Sequence, residues 1–330
     1  MSKAWKIVLI VLSSLFVCIF AFLGVYYLWP WNKAFFDMST QEFVIPGLDT
    51  SFVPQGFTKI DGSDEYLISG YMSDGTASRY YLIDAEGKTK KYFTLEQAGI
   101  DYTGHAGGVV SKGSTIWTVG DKNCYRFMLS DVKNVECGGE VEIIDSFEVS
   151  NGADFTFVYD NRLWIGEFYK KDKYETSQTH RLTTRSGEEN PSLVYGYRID
   201  ESMSLGLYDK KPDKILSIRG ECQGIAVTND GKFVMSCSYS LQDSGIYYYE
   251  DVLNQEPHDN FVLGTKMTNL WYLDNDSLIN AINAPAMSEE LVIHNNRVYV
   301  LFESACKKYK ILNRKQLSNV YSFAINSLES

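Results

Sequence analysis

The chain has 330 residues, 45% hydrophobic, 14% aromatic and 22% charged, with only 7 Pro, a composition that excludes a disordered or collagen-like protein. Its 42 acidic side chains against 31 basic ones give a formal net charge of −11; Lys3, Lys6 and Lys33 supply three of the basic ones, so residues 34–330 carry −14. That balance argues against nucleic acid as a partner and against electrostatic adhesion to anionic lipid, and it is compatible with cation binding.

Residues 7–29 form one uncharged apolar run, preceded by Lys3 and Lys6. As a helix it rises about 30–35 Å, enough to cross a bilayer core. It is longer than the roughly 7–15-residue core of a cleaved signal peptide. It ends in Tyr26-Tyr27-Leu28-Trp29-Pro30-Trp31, an interfacial aromatic belt. The run reads as an uncleaved signal anchor whose partner is the lipid bilayer. Residues 1–6 then lie in the cytoplasm, 30–41 form a linker, and 42–330 form one extracytoplasmic domain.

That domain is organised by a motif that recurs five times. Its copies are Gln55-Gly56-Phe57, Gly107-Gly108-Val109, Asp154-Phe155-Thr156, Gln223-Gly224-Ile225 and Glu289-Glu290-Leu291. Each opens a short apolar strand, then a polar turn, then a second strand. Runs such as Leu163-Trp164-Ile165-Gly166 and Val298-Tyr299-Val300-Leu301 are short, β-branched or aromatic, and bounded by Asn-containing turns. A repeat of this kind predicts an all-β fold: a single β-propeller of five blades. Six blades is the alternative, if residues 250–285 hold a further sheet. The expected strands are 56–60, 65–71, 79–84 and 90–95; then 108–111, 115–120, 124–129 and 140–149; then 154–158, 162–168, 193–199 and 213–218. The fourth blade takes 224–228, 232–238, 245–249 and 269–273, and the fifth takes 290–294, 297–302 and 319–325. The segment from Glu42 to Gly47 is expected to close the ring as the fifth blade's outer strand. Residues 94–100 and 304–317 are the places for a helical turn.

Of the six cysteines, Cys18 lies inside the anchor. Cys222 and Cys237 flank the turn Asn229-Asp230-Gly231, and Cys124 and Cys137 flank another expected hairpin. Disulfides Cys222–Cys237 and Cys124–Cys137 are therefore expected, with Cys306 left over.

Innermost strands line the channel of a propeller, so their first residues gather at one mouth, and each second strand returns to that mouth. This places Gln55, Asp154, Gln223 and Glu289 in a ring, beside His105, Glu221 and Glu290, with Asp121, Glu167 and Glu303 at the second-strand ends. Polar groups in such a mouth are the expected ligand site. Gln55, Asp121, Asp154, Glu167, Glu221, Gln223 and Glu303 are the ligand-binding candidates. Hard oxygen donors from several blades suit Ca²⁺ or another divalent cation, with Asp154, Glu289 and Glu290 as metal candidates. His105, set among small residues in Gly104-His105-Ala106-Gly107-Gly108, is the candidate general base, with packing as the plainer role. His180, His258 and His294 sit in loops without companions. The long polar segment 170–192 emerges above the mouth as a lid or partner-binding arm. No GxSxG elbow, Walker loop or dinucleotide fingerprint is present.

The Gln-Gly-Phe start, the strand Tyr66-Leu67-Ile68-Ser69-Gly70-Tyr71 and the strand Ser78-Arg79-Tyr80-Tyr81-Leu82-Ile83-Asp84 are similar in layout to the five-bladed plant-type glutamine cyclotransferases. The propeller also resembles six-bladed gluconolactonase-like proteins. That resemblance implies a divalent metal, for which Asp154, Glu221 and Glu289 would stand as the set. Two functions follow as expectations. One is a membrane-anchored module binding a small ligand, cation, surface polymer or extracytoplasmic protein. The other is a hydrolase or cyclotransferase that uses the acidic mouth with His105.

Overall fold

Five sheets, each built on four antiparallel strands and two of them extended by further strands, form a closed ring in the computed structural model, which describes residues 2–329. A helix, Lys3–Leu28, precedes the ring and is long and apolar enough to span a membrane. A second, short helix, Lys33–Met38, leads into the strand Ser39–Val44.

From the channel outward, blade one comprises Phe52–Lys59, Tyr66–Met72, Arg79–Ile83 and Thr89–Gln97. Blade two is Gly108–Lys112, Thr115–Gly120, Asn123–Met128 and Asp145–Glu148. Blade three is Phe155–Tyr159, Arg162–Gly166, Ser192–Arg198 and Lys214–Ile218. Blade four is Cys222–Val227, Phe233–Cys237, Ser244–Tyr249 and Leu278–Ala284. Blade five is Ser288–His294, Arg297–Phe302 and Asn319–Ala324, completed by the N-terminal Ser39–Val44. First and last strands thus pair, and the ring has no free inner edge.

Each pair of neighbouring blades encloses its own apolar core. Leu67, Tyr80 and Phe93 of blade one meet Ile116 and Phe127 of blade two, and Phe57 and Ile68 meet Val292 and Leu301 of blade five. Second strands are covered on both faces, so Thr115–Gly120 is buried throughout and its sequence does not alternate.

Several expectations are corrected at the outer edges. The stretch 140–149 divides: Glu140–Glu142 pairs parallel with Thr89–Gln97 of blade one, and only Asp145–Glu148 completes blade two. The chain reaches blade one through an unexpected helix, Leu129–Asn134. The strand expected to finish blade four, Lys266–Tyr272, instead extends blade three in parallel with Lys214–Ile218, carrying Asp259–Leu263 with it. Residues 250–285 therefore build an extension of blade three and the outer strand of blade four, and the blade count is five. The segment 94–100 is strand and tight turn, and 304–317 is a run of turns.

The cysteines are all free. Cys222 and Cys237 do stand directly opposite each other in register. Cys124 does not face Cys137: its cross-strand neighbours are Val119 and Phe147, and Cys137 is exposed in the loop after the helix Leu129–Asn134.

Candidate functional site at the channel mouth

In blades one, four and five the repeated motif marks where the inner strand is bulged; in blades two and three its first residue, Gly107 or Asp154, lies just before an unbulged strand. In blade one, Pro54 pairs with Gly70 and Gly56 with Ser69, which leaves Gln55 as an extra residue. Gln223 is extra in the same way in blade four, and Glu289 and Glu290 fall in the corresponding irregularity of blade five. A bulge frees a side chain from the pleat and re-aims it, here toward the axis. The motif glycines answer a second need. A Cβ on Gly56 or Gly108 would lie 2.8 Å and 2.7 Å from the backbone nitrogens of Val109 and Thr156, so inner strands approach here as only glycine allows.

Glu290 uses that approach. Its Oε2 accepts the backbone N–H of Phe57 at 2.6 Å and of Val109 at 3.3 Å, and its Oε1 accepts that of Thr156 at 3.3 Å. One carboxyl of blade five therefore joins blades one, two and three at the axis. Burial drives its pKa well up, and the three N–H groups act in the opposite direction.

Above it opens a cavity of about 920 Å³. Gln55, Asp121, Asp154, Glu167, Gln223, Glu289, Glu303 and His105 all border it, as the sequence led one to expect. Glu289 and Glu303 form its floor and share a hydrogen bond. Burial, then the neighbouring Glu303, pushes Glu289 well up; burial also pushes Glu303 up to about 8, against the pull of Lys308 and Gln55. Gln55 Nε2 donates to Glu303 Oε2 at 3.0 Å and to its neighbour Pro54's carbonyl at 2.7 Å. Asp154 reaches into the cavity, and its Oδ2 accepts the Phe168 N–H at 2.7 Å. Loss of water raises its pKa to about 6, and Glu167 and Asp121 add to the rise.

His105 stacks on Tyr71, with ring centroids 4.8 Å apart, and its backbone N–H donates to Asp121 Oδ2. Its ring borders the open cavity yet is crowded by protein; that loss of water, with Lys308, lowers its pKa and outweighs Asp121. Tyr71 Oη in turn meets Tyr309 Oη at 3.2 Å and accepts from Lys308 Nζ at 2.7 Å.

Two candidates do not join the cavity. Glu290 lies beneath it, fully engaged with backbone. Glu221, held in a left-handed backbone conformation at φ 64°, turns to Lys170 at 2.5 Å. Glu167 borders the cavity but is engaged: it accepts from His180 Nδ1 at 2.9 Å, from the Leu193 N–H at 2.8 Å and from the Gly152 N–H at 3.4 Å. His180, which the sequence leaves without companions, is therefore part of the mouth. It pins the segment 170–192, which is an ordered strap rather than a free lid, with Arg185 paired bidentately to Asp274 at 2.9 Å on both arms. The metal candidates have the following partners in the structure. Glu290 is engaged by three N–H groups, Glu289 by Glu303 and Asp154 by Phe168, and among the described residues no group of three or more His, Cys, Asp or Glu is arranged to hold a metal.

The rim is aromatic and cationic. Phe168, Tyr174 and Tyr239 cluster with centroids 5.7–6.5 Å apart. Lys170 and Lys173 place their ammonium groups 4.6 Å and 5.3 Å from the Tyr239 ring centre.

Comparison of the sequence with protein-family profiles and with curated proteins finds no match. Among solved structures the chain is similar in shape to the PQQ-bound aldose sugar dehydrogenase of Streptomyces coelicolor, at a TM-score of 0.46 and 10% identity over 87% of this chain and 98% of that one. It is similar also to a gluconolactonase from Xanthomonas campestris, at 0.39 and 9% over 87% and 95%. BamB from Moraxella catarrhalis gives 0.36 and 9% over 82% and 85%. At these values the likeness says nothing about this mouth; the five-bladed ring rests on the strand pairing itself.

Proposed function

We propose that the chain is a membrane-anchored propeller, its ring outside the cytoplasm, that takes a small amine-bearing organic cation into the channel mouth. The observation that carries this reading is the cavity, where Glu289 and Glu303 on the floor and Asp154 reaching in are carboxyls held above their usual pKa by loss of water. An arriving ammonium supplies the opposite charge these groups lack, so binding and ionisation favour each other. The rim already receives ammonium groups, those of Lys170 and Lys173, on the face of Tyr239. A cavity of about 920 Å³ suits an organic molecule better than a bare ion. The −14 charge of the ring supports capture of cations. Lys3 and Lys6 at the start of the apolar helix support a cytoplasmic N-terminus.

A melting-temperature screen of the full chain in detergent tests this, with choline, spermidine and lysine amide as probes and maltotriose as a neutral comparator. Stabilisation by at least one amine is expected, stronger at pH 8 than at pH 6 and reduced in Glu303→Gln. Stabilisation by maltotriose alone, or by none of the amines, overturns the reading.

A second reading rests on one observation. Glu303, with a pKa near 8, holds its proton at neutral pH, and His105, lowered by burial, is neutral there. An acid and a base bordering one cavity are what a hydrolase or cyclotransferase needs. Under this reading His105→Ala costs about 10²–10⁴ in turnover, whereas under the binding reading it leaves amine affinity nearly unchanged.

A further inference from the structure

We infer that the ring is held with its cavity mouth turned toward the bilayer, and that the loop after Glu303 rests in an anionic headgroup layer through Ile311, Leu312 and the basic residues around them. This rests on reading the first helix as a membrane span.

Between the end of that helix at Leu28 and the start of the next at Lys33 lie only residues 29–32. Four residues reach at most about 14 Å. The second helix is fixed to the ring: Phe35 is buried against Phe302, Tyr321 and Phe323 of blade five. The chain enters the ring on the mouth side. Asn32 Nδ2 donates to the carbonyl of Ala284, which pairs with Ser244 at the mouth end of blade four. The short helix then descends to Ser39, which pairs with Phe323 near the far end of its strand.

The loop 304–317 stands on that same side, beside the helix exit. Tyr26 Oη donates to the Leu312 carbonyl at 3.1 Å and Tyr27 Oη to the Ile311 carbonyl at 3.4 Å. Arg314 lies 4.5 Å over the Trp31 ring and pairs with Asp243. Tyr and Trp at the end of a span settle at headgroup depth, so loop groups bonded to them share that depth. Ile311 and Leu312 are 77% and 65% exposed, and Leu312 also borders the cavity. The loop's charge is the reverse of the domain's. Residues 304–317 contain Lys307, Lys308, Lys310, Arg314 and Lys315 and no acidic residue. Apolar side chains flanked by lysines are the chemistry of a segment that docks on anionic lipid.

The test uses the full chain in nanodiscs of phosphatidylcholine with phosphatidylglycerol. The accessible thiols Cys18 and Cys137 are replaced by serine, the other four being buried. An environment-sensitive fluorophore is attached in Ile311→Cys and, on the opposite face, in Asn229→Cys; a third preparation keeps Cys18 and labels it. The label of Ile311→Cys is expected to be quenched by headgroup-proximal spin-labelled lipid and to be several-fold less sensitive to aqueous iodide than that of Asn229→Cys. Its protection is expected to weaken in pure phosphatidylcholine. Equal iodide quenching at the two ring positions, with Cys18 still reached only from lipid, overturns the docking and leaves the anchor standing. Iodide quenching at Cys18 overturns the anchor, and the docking with it.

Discussion

Glu290 and Phe57 sit in different blades, at opposite ends of the folded sequence, and are joined at 2.6 Å by a carboxyl oxygen accepting a backbone N–H. The same carboxyl satisfies Val109 and Thr156, so inner-strand donors of three blades depend on it. Glu290→Ala is expected to destabilise the ring by about 3–5 kcal/mol, since it leaves three buried donors without a partner and opens a void. Glu221→Ala, which loses only the partly exposed pair with Lys170, should cost about 1 kcal/mol or less. Urea unfolding of the two variants checks the contrast, and equal losses would contradict it.

Stability should fall as pH rises from about 4 to about 8. Asp154 and Glu303 have ordinary values of 3.8 and 4.5, and in the folded chain they rise to about 6 and about 8. Between the unfolded and folded values the native state holds more protons, so raising the pH favours unfolding. The combined loss is on the order of a few kcal/mol, reduced by the solvent that reaches Asp154. Asp154→Asn with Glu303→Gln should flatten the melting temperature across that range.

His180→Ala removes the ring that pins residues 170–192 to Glu167. Faster amide exchange confined to that segment is expected, together with a loss of about 1–3 kcal/mol as Glu167 keeps only the Leu193 and Gly152 N–H donors. Exchange as slow as in the unaltered chain would show that the remaining tethers, Arg185–Asp274, Lys170–Glu221 and the Asn190 side chain, suffice to secure the strap.

Millimolar calcium is expected to shift the melting temperature by less than about 1 °C, because the mouth carboxyls are engaged with backbone and with one another. A rise of several degrees that vanished in Glu303→Gln would instead support a metal role.

In three of the five blades the first residue of the repeat falls in the bulge that opens on the cavity. Gln55, Gln223 and Glu289 reach the mouth for a local backbone reason that a short motif records. What the motif could not separate was Glu289 from Glu290. The two are adjacent in sequence, yet one lies on the floor and the other on the axis, a division set by the backbone of three other blades. Glu221 left the ring through a left-handed backbone that its sequence does not announce. His180 gave no signal because its partner, Glu167, belongs to a strand of ordinary appearance. The outer strands were misassigned for a related reason: Glu140–Glu142 and Lys266–Tyr272 pair in parallel with other blades, and an edge exchanged between blades leaves no mark in either strand's own pattern.

The pairing of Ser39–Val44 with Asn319–Ala324 also constrains how the molecule is made. The first strand leaves the ribosome directly after the apolar helix, and its partner begins only 275 residues later, at 319 against 44. At about 5–20 residues per second the first strand waits for tens of seconds with its edge unpaired. During that interval the nascent chain is an open arc of blades. Protection of that edge falls to chaperones, and a truncation anywhere before residue 319 leaves it permanently exposed.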